Sequence, residues 1–180
     1  DSHSQDLFNS FSKLSKYDFI VSISKGNCRP LGSKTKCHYY KAIKFVEKHR
    51  NNIDKILFNI KGSYMLTNFG NREQQSDGTF RKLPLNMPQI NYTLDYVGRL
   101  NLLKKTILIG PHLEPNISLD RRNIINLLKE KNFSQYSHLL NKDLVEVDKK
   151  LKEMSINNQI EYISKIDLFD FELNRDFVVN

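Results

Sequence analysis

The chain opens with Asp1-Ser2-His3, a hydroxyl set between a carboxylate and an imidazole. A serine hydroxyl performs acyl transfer when a base takes its proton and nearby donors hold the resulting oxyanion. Residues 5–16 (QDLFNSFSKLSK) carry Leu7, Phe8, Phe11 and Leu14 as apolar positions and predict a helix. Ser2 then stands where a preceding strand would turn into that helix. Its hydroxyl would lie at the carboxyl edge of a sheet. Its amide would lie at a helix N-terminus, which favours developing negative charge. The plainer role for Ser2 or Ser4 is that of a helix cap.

Other residues could join such chemistry. Of the five histidines, His49 and His138 fall in amphipathic helical stretches and read as surface residues. His112 follows a strand and could face a site, His3 adjoins Ser2, and His38 follows Cys37. Cys28 and Cys37 enclose a loop containing Pro30, Gly32 and Ser33. Two cysteines do not make a four-ligand zinc site. Their spacing fits a disulfide, worth about 2–3 kcal/mol in a loop this short and native to an oxidising compartment. It fits two free thiols equally well. The polar stretch from Leu66 to Ile90, punctuated by Gly70, Gly78, Pro84 and Pro88, predicts a long loop after a strand's carboxyl end. Asn68, Arg72 and Gln74 in it could hydrogen-bond sugar hydroxyls, against the simpler alternative of a solvent loop. No cofactor and no metal is expected.

The elements that would position these groups alternate. Tyr17 to Ser24 (YDFIVSIS) and Asp54 to Ile60 (DKILFNI) predict strands, and Lys36 to Arg50 a helix with Tyr40, Ile43 and Val46 inward. A helix over Tyr92 to Lys105 leads to a strand at Thr106 to Gly110 (TILIG), stopped by Pro111. Ser118 can cap a helix running to about Lys131. Leu140, Leu144, Val147, Leu151 and Met154 form the clearest amphipathic stripe, and Gln159 to Ile166 predicts the last strand. Short buried strands alternating with helices argue for an α/β fold with a parallel sheet, whose sites lie beyond the carboxyl ends of its strands.

Composition narrows the classes. At 180 residues and 39% hydrophobic content, one domain with its own core is expected. No apolar run is long enough to span a membrane, and the polar start carries no secretory signal. The net charge of +8 is dispersed, with Lys far outnumbering Arg and no long basic run. That pattern reads as a solvated lysine-rich surface, with no nucleic-acid partner expected.

Asp1-Ser2-His3 resembles the tail of the Gly-Asp-Ser-His block of SGNH (GDSL-like) hydrolases. The nearest likeness is to the soluble SGNH domain at the C-terminus of bacterial membrane-bound sugar O-acyltransferases. SISKGNC (Ser22 to Cys28), the second cysteine Cys37, the helix over 36–50 and DKILFNIKGSY (Asp54 to Tyr64) follow that domain's order. ILIGPHLEP (Ile107 to Pro115) resembles its apolar strand ending in Gly and a Pro-Glu-like turn. The resemblance implies a three-layer, flavodoxin-like sandwich, a single domain over 1–180 that is incomplete at both ends and lacks its first strand. An incomplete sheet of this kind predicts poor stability for residues 1–180 by themselves.

The resemblance further implies Ser2 as nucleophile, an oxyanion hole from Ser2, Gly26 (beside Asn27) and Asn59 (near Gly62), and a Cys28–Cys37 disulfide. It implies placement on the periplasmic or other extracytoplasmic face of the inner membrane. The acyl donor would be delivered by a membrane domain and the acceptor would be a surface glycan. Two features depart from the family: no Asp-x-x-His block occurs in residues 1–180, and no Gly-x-Asn-Asp block occurs either. The alternatives are a free-standing carbohydrate esterase and a glycan-binding SGNH module without turnover.

Overall fold

The computed structural model of the protein describes residues 8–13, 20–23, 28–30, 37, 39–68, 81–113 and 142–168. Residues 8–12, inside the helix expected over 5–16, are helical. The main elements are helix α1 (Tyr39–His49), strand β1 (Ile56–Asn59), helix α2 (Met87–Leu103), strand β2 (Thr106–Ile109), helix α3 (Asp143–Asn157), strand β3 (Glu161–Ile163) and a single-turn helix α4 (Lys165–Leu168). The strands form an open sheet in the order β1-β2-β3, and both pairings are parallel. The α/β class with a parallel sheet is therefore observed.

Burial follows position in the sheet. All four residues of central β2 are buried, as expected for a parallel strand covered on both faces. Along one face the register aligns Phe58, Leu108 and Tyr162, one residue per strand. Helices α2 and α3 pack Ile90, Leu94, Val97, Leu144, Val147 and Leu151 against Leu108 on this face. Helix α1 adds Val46 and Ile43 beside Tyr96, Leu100, Ile56 and Phe58. Ile107 and Ile109, of opposite parity, are also buried.

Local signals explain the helix boundaries. Asn86 caps α2, its side chain accepting from the Gln89 amide at 3.2 Å, and Pro88 sits in the first turn, where its missing N–H costs nothing. This cap starts α2 at Met87, inside the stretch expected as loop. The described ends of that stretch are joined: Leu66 and Leu85 form an antiparallel bridge, and Asn86 N–H donates to Met65 O at 2.7 Å, while residues 69–80 lie outside the described residues. Helix α3 stops where Gln159 takes a left-handed conformation (φ 56°) and Ile160 N–H returns to Ser155 O at 2.9 Å.

Three further expectations are corrected. The strand expected over Gln159 to Ile166 covers only Glu161–Ile163, and the chain turns into α4 at Lys165. The strand expected over Tyr17 to Ser24 is irregular where described, at 20–23, with Val21 and Ile23 56% and 59% exposed. An apolar run states hydrophobicity only, and a strand forms where a neighbour completes its ladder. In α1 the inward position is Tyr39 rather than Tyr40, which is exposed, because 39, 43 and 46 share the helix face that meets Tyr96. The helix expected over 118–131 lies outside the described residues. No helix among the described residues is long and apolar enough to cross a membrane.

Candidate functional site

Parallel strands bring their carboxyl ends to one edge, where open α/β sheets bind ligands. Three short segments leave this edge: Asn59 to Gly62 after β1, Gly110 to His112 after β2, and Ser164-Lys165 after β3. Asn59, an expected oxyanion donor, ends β1. Its Oδ1 accepts a hydrogen bond from Lys165 Nζ at 3.1 Å. Lys165 thus reaches from the end of β3 past the end of β2 to β1, a span of roughly 10 Å at ordinary strand spacing.

Beneath this link lies a buried carboxylate. Asp148 is 3% exposed. Its Oδ1 accepts from the Tyr162 hydroxyl at 2.6 Å and its Oδ2 from the Ser164 hydroxyl at 2.7 Å. Short charge-assisted bonds of this kind offset the cost of removing a carboxylate from water. Ser164 Oγ in turn accepts from the Asp167 amide at 2.9 Å, which starts α4. Burial first, then the bond to Asp148 and its charge, push the Tyr162 phenol far above its ordinary value, so Tyr162 remains a donor. Lys152 binds Asp167 at 2.7 Å, and this bond, with the charges of Asp167 and Asp148, raises the lysine's pKa.

Two glycines make the edge compact. A side chain at Gly110 would strike Tyr162 Oη and Asp148 Oδ1. Gly110 N–H also donates to Ile163 O at 2.8 Å, carrying the β2–β3 ladder one residue further. At Gly62 a Cβ would meet Pro111 Cβ and come within 2.8 Å of Leu144 Cδ2. Gly62 is therefore the point where the turn after β1 packs against the segment after β2.

Residues 28–30 and Cys37 sit against the same end of the molecule. Cys28 and Cys37 are joined in a disulfide and both are buried. Gln89 Nε2, in the first turn of α2, donates to Pro30 O at 3.0 Å. The Tyr39 hydroxyl donates to Cys28 O at 3.1 Å, and the Arg29 guanidinium lies 5.5 Å from the centroid of the Tyr64 ring. Tyr64 belongs to the turn Gly62–Met65 that follows β1.

The other expected site residues divide. Asn68 is exposed just past the Leu66–Leu85 bridge, in a left-handed conformation (φ 53°) that asparagine tolerates. His112 is half-buried at the carboxyl edge. His49 ends α1 and lies 4.7 Å from the Phe45 ring, away from that edge. Ser2, His3, Gly26, Asn27, His38, Arg72, Gln74 and His138 lie outside the described residues.

Sequence reasoning missed Asp148, Tyr162, Ser164 and Lys165. Asp148 left a signal: it shares the core stripe of α3 with Leu144, Leu151 and Ser155, where a carboxylate must find hydroxyl partners. Lys165 left none, because its partner is 106 residues away. The chain matches no protein-family model, and no curated protein or solved structure resembles it significantly.

Proposed function

We propose that this domain transfers an O-acyl group, with acetyl the best candidate, to or from a cell-surface glycan through an acyl-serine at Ser2. It would do so as the soluble, extracytoplasmic part of a membrane acyltransferase, within a three-layer SGNH-type sandwich. The observation that carries the reading is the carboxyl edge of the parallel sheet. There Asn59, an amide at the end of β1, is held by Lys165. The Cys28–Cys37 disulfide, a cross-link suited to an oxidising compartment, supports the placement.

In this reading the Ser2 hydroxyl attacks the carbonyl carbon of the acyl donor and gives its proton to a histidine base. The amide of Ser2, the Gly26 region and the Asn59 side chain donate to the oxyanion. Collapse of the tetrahedral adduct breaks the bond to the donor's leaving group, which takes the proton. A sugar hydroxyl or water then attacks the acyl-serine by the same route in reverse. In the SGNH family that base comes from an Asp-x-x-His block, and no such block occurs in residues 1–180. Asn68 and Arg72 border the acceptor in this scheme.

The test is acylation of the intact protein by an activated acetate ester, followed by peptide mass mapping. The expected result is an acetyl group on Ser2 and its absence in Ser2→Ala. Acetyl found elsewhere only, or equal turnover by Ser2→Ala, would overturn the proposal.

A further inference from the structure

We propose that Lys165 is a positioning residue that sets the Asn59 amide as an oxyanion donor, an assignment that rests on the acyl-transfer reading above. A carboxamide carries an acceptor at one end and two donors at the other, in nearly the same shape. Its hydrogen-bond partners decide which end faces a site. A lysine ammonium can only donate. The 3.1 Å contact from Lys165 Nζ therefore fixes Oδ1 toward the lysine and turns the Nδ2 hydrogens to the other side of the amide. The same contact does electronic work. A cation at the carbonyl oxygen draws charge from the amide and makes its N–H groups stronger donors.

The lysine is itself held in place. Ser164, immediately before it, is locked to Asp148 at 2.7 Å and accepts from the Asp167 amide at 2.9 Å. The carboxylate nearest in sequence, Asp167, is engaged by Lys152 at 2.7 Å. The backbone at Lys165 thus starts from a buried anchor, and its side chain is directed across the sheet edge. Bare Gly110 admits that anchor, since a side chain there would strike Tyr162 and Asp148. A path of defined contacts runs from Asp148 through Ser164 and Lys165 to Asn59.

The experiment uses the intact protein and an activated acetate ester, with kcat and KM measured for Ser2-dependent turnover. Removing an oxyanion donor outright costs about 100- to 1000-fold in kcat. Releasing its orientation is expected to cost about 10-fold, so Lys165→Met should lower kcat by that factor with KM unchanged. Lys165→Arg, which also donates only, should restore most of the rate. In an Asn59→Ala background, Lys165→Met should have no further effect, because the lysine acts through the amide. The melting temperature of each variant separates these effects from loss of the fold. Unchanged kcat in Lys165→Met, no rescue by arginine, or additive losses with Asn59→Ala would overturn the inference while leaving acyl transfer standing. Wild-type protein without Ser2-dependent turnover would remove the acyl-transfer reading and this inference with it.

Discussion

Two tyrosine systems, partly to fully buried, flank Leu108 on the same sheet face. On the β1 side, Tyr39, Phe58 and Tyr96 pack ring against ring, with Tyr39 and Tyr96 edge-on at 5.0 Å and Phe58 5.6 Å from Tyr96. Their hydroxyls end on backbone carbonyls: Tyr96 donates to Tyr39 O at 3.0 Å and Tyr39 to Cys28 O at 3.1 Å. On the β3 side, Tyr162 donates to the carboxylate of Asp148. The first system is an apolar cluster whose polar tips are satisfied locally. The second is a buried charge that holds three elements together. Aromatic rings bury area whatever their partners, whereas a buried carboxylate is stable only while its donors are present. The β3 side should therefore be the more brittle of the two.

The largest expected effect breaks that side. Asp148→Ala strands the Tyr162 and Ser164 hydroxyls without their acceptor and leaves a small void, a loss of about 3 kcal/mol in urea unfolding. A loss under about 1 kcal/mol would show that water replaces the carboxylate and that the network is not brittle. The β1 side depends instead on its tether. Replacing Cys28 and Cys37 together by Ser frees the loop that offers Tyr39 its carbonyl, and should cost about 2–3 kcal/mol. A smaller cost would mean that Gln89 and Tyr39 hold the loop without the cross-link.

A matched pair sharpens the comparison. Tyr162→Phe removes a bond to a charged acceptor and should cost about 2 kcal/mol. Tyr96→Phe removes a bond to a neutral carbonyl and should cost about 1 kcal/mol. The ring contacts survive in both. Equal costs would mean that the charge on Asp148 adds nothing to its hydrogen bonds.

The same contrast shows what was legible in the sequence. The β1 side was nearly readable: Ile43 and Val46 announced the buried face of α1, and the error between Tyr39 and Tyr40 was one of helix phase. The parallel sheet followed from the alternation of DKILFNI and TILIG with helical stretches. The start of α2 falls inside the expected loop because Pro88 reads there as loop punctuation, though Asn-x-Pro just before an apolar stripe, here Asn86 to Pro88, is also a helix start. The strand expected over Tyr17 to Ser24 is not formed at its described residues, 20–23, because an apolar run does not name its partner strand. The β3 side was hidden for a different reason. Tyr162 and Ser164 look like ordinary surface types in sequence, Asp148 is marked only by its place on the core stripe of α3, and the fold alone brings the three within hydrogen-bonding range. At the candidate site, the sequence places Asn59 at a strand end, where β1 does end, and its role as a donor is what the SGNH resemblance implies. Lys165 could not be picked out, since nothing local marks a lysine that acts across the sheet.

The effect that vanishes at neutral pH, and is the smallest there, is a pH dependence of the β1 side. Burial raises the Tyr96 phenol from its ordinary 10.0 to about 12. Its folded pKa lies above its unfolded one, so the folded state binds more protons in that interval. Stability from this group is then complete below about pH 10 and is lost as pH climbs toward about 12. Wild-type unfolding free energy should fall more steeply than that of Tyr96→Phe between about pH 10 and 12, with the two curves parallel at neutral pH. Tyr39, raised by burial and by Tyr96 beside it, ionises later still and keeps its bond to Cys28 O over the same range. The Tyr39→Phe curve should therefore also be shallower than wild type. If Tyr96→Phe tracks wild type throughout, the Tyr96 hydroxyl is open to solvent, and the aromatic cluster is packed less tightly around its polar tip than the 3.0 Å bond to Tyr39 O implies.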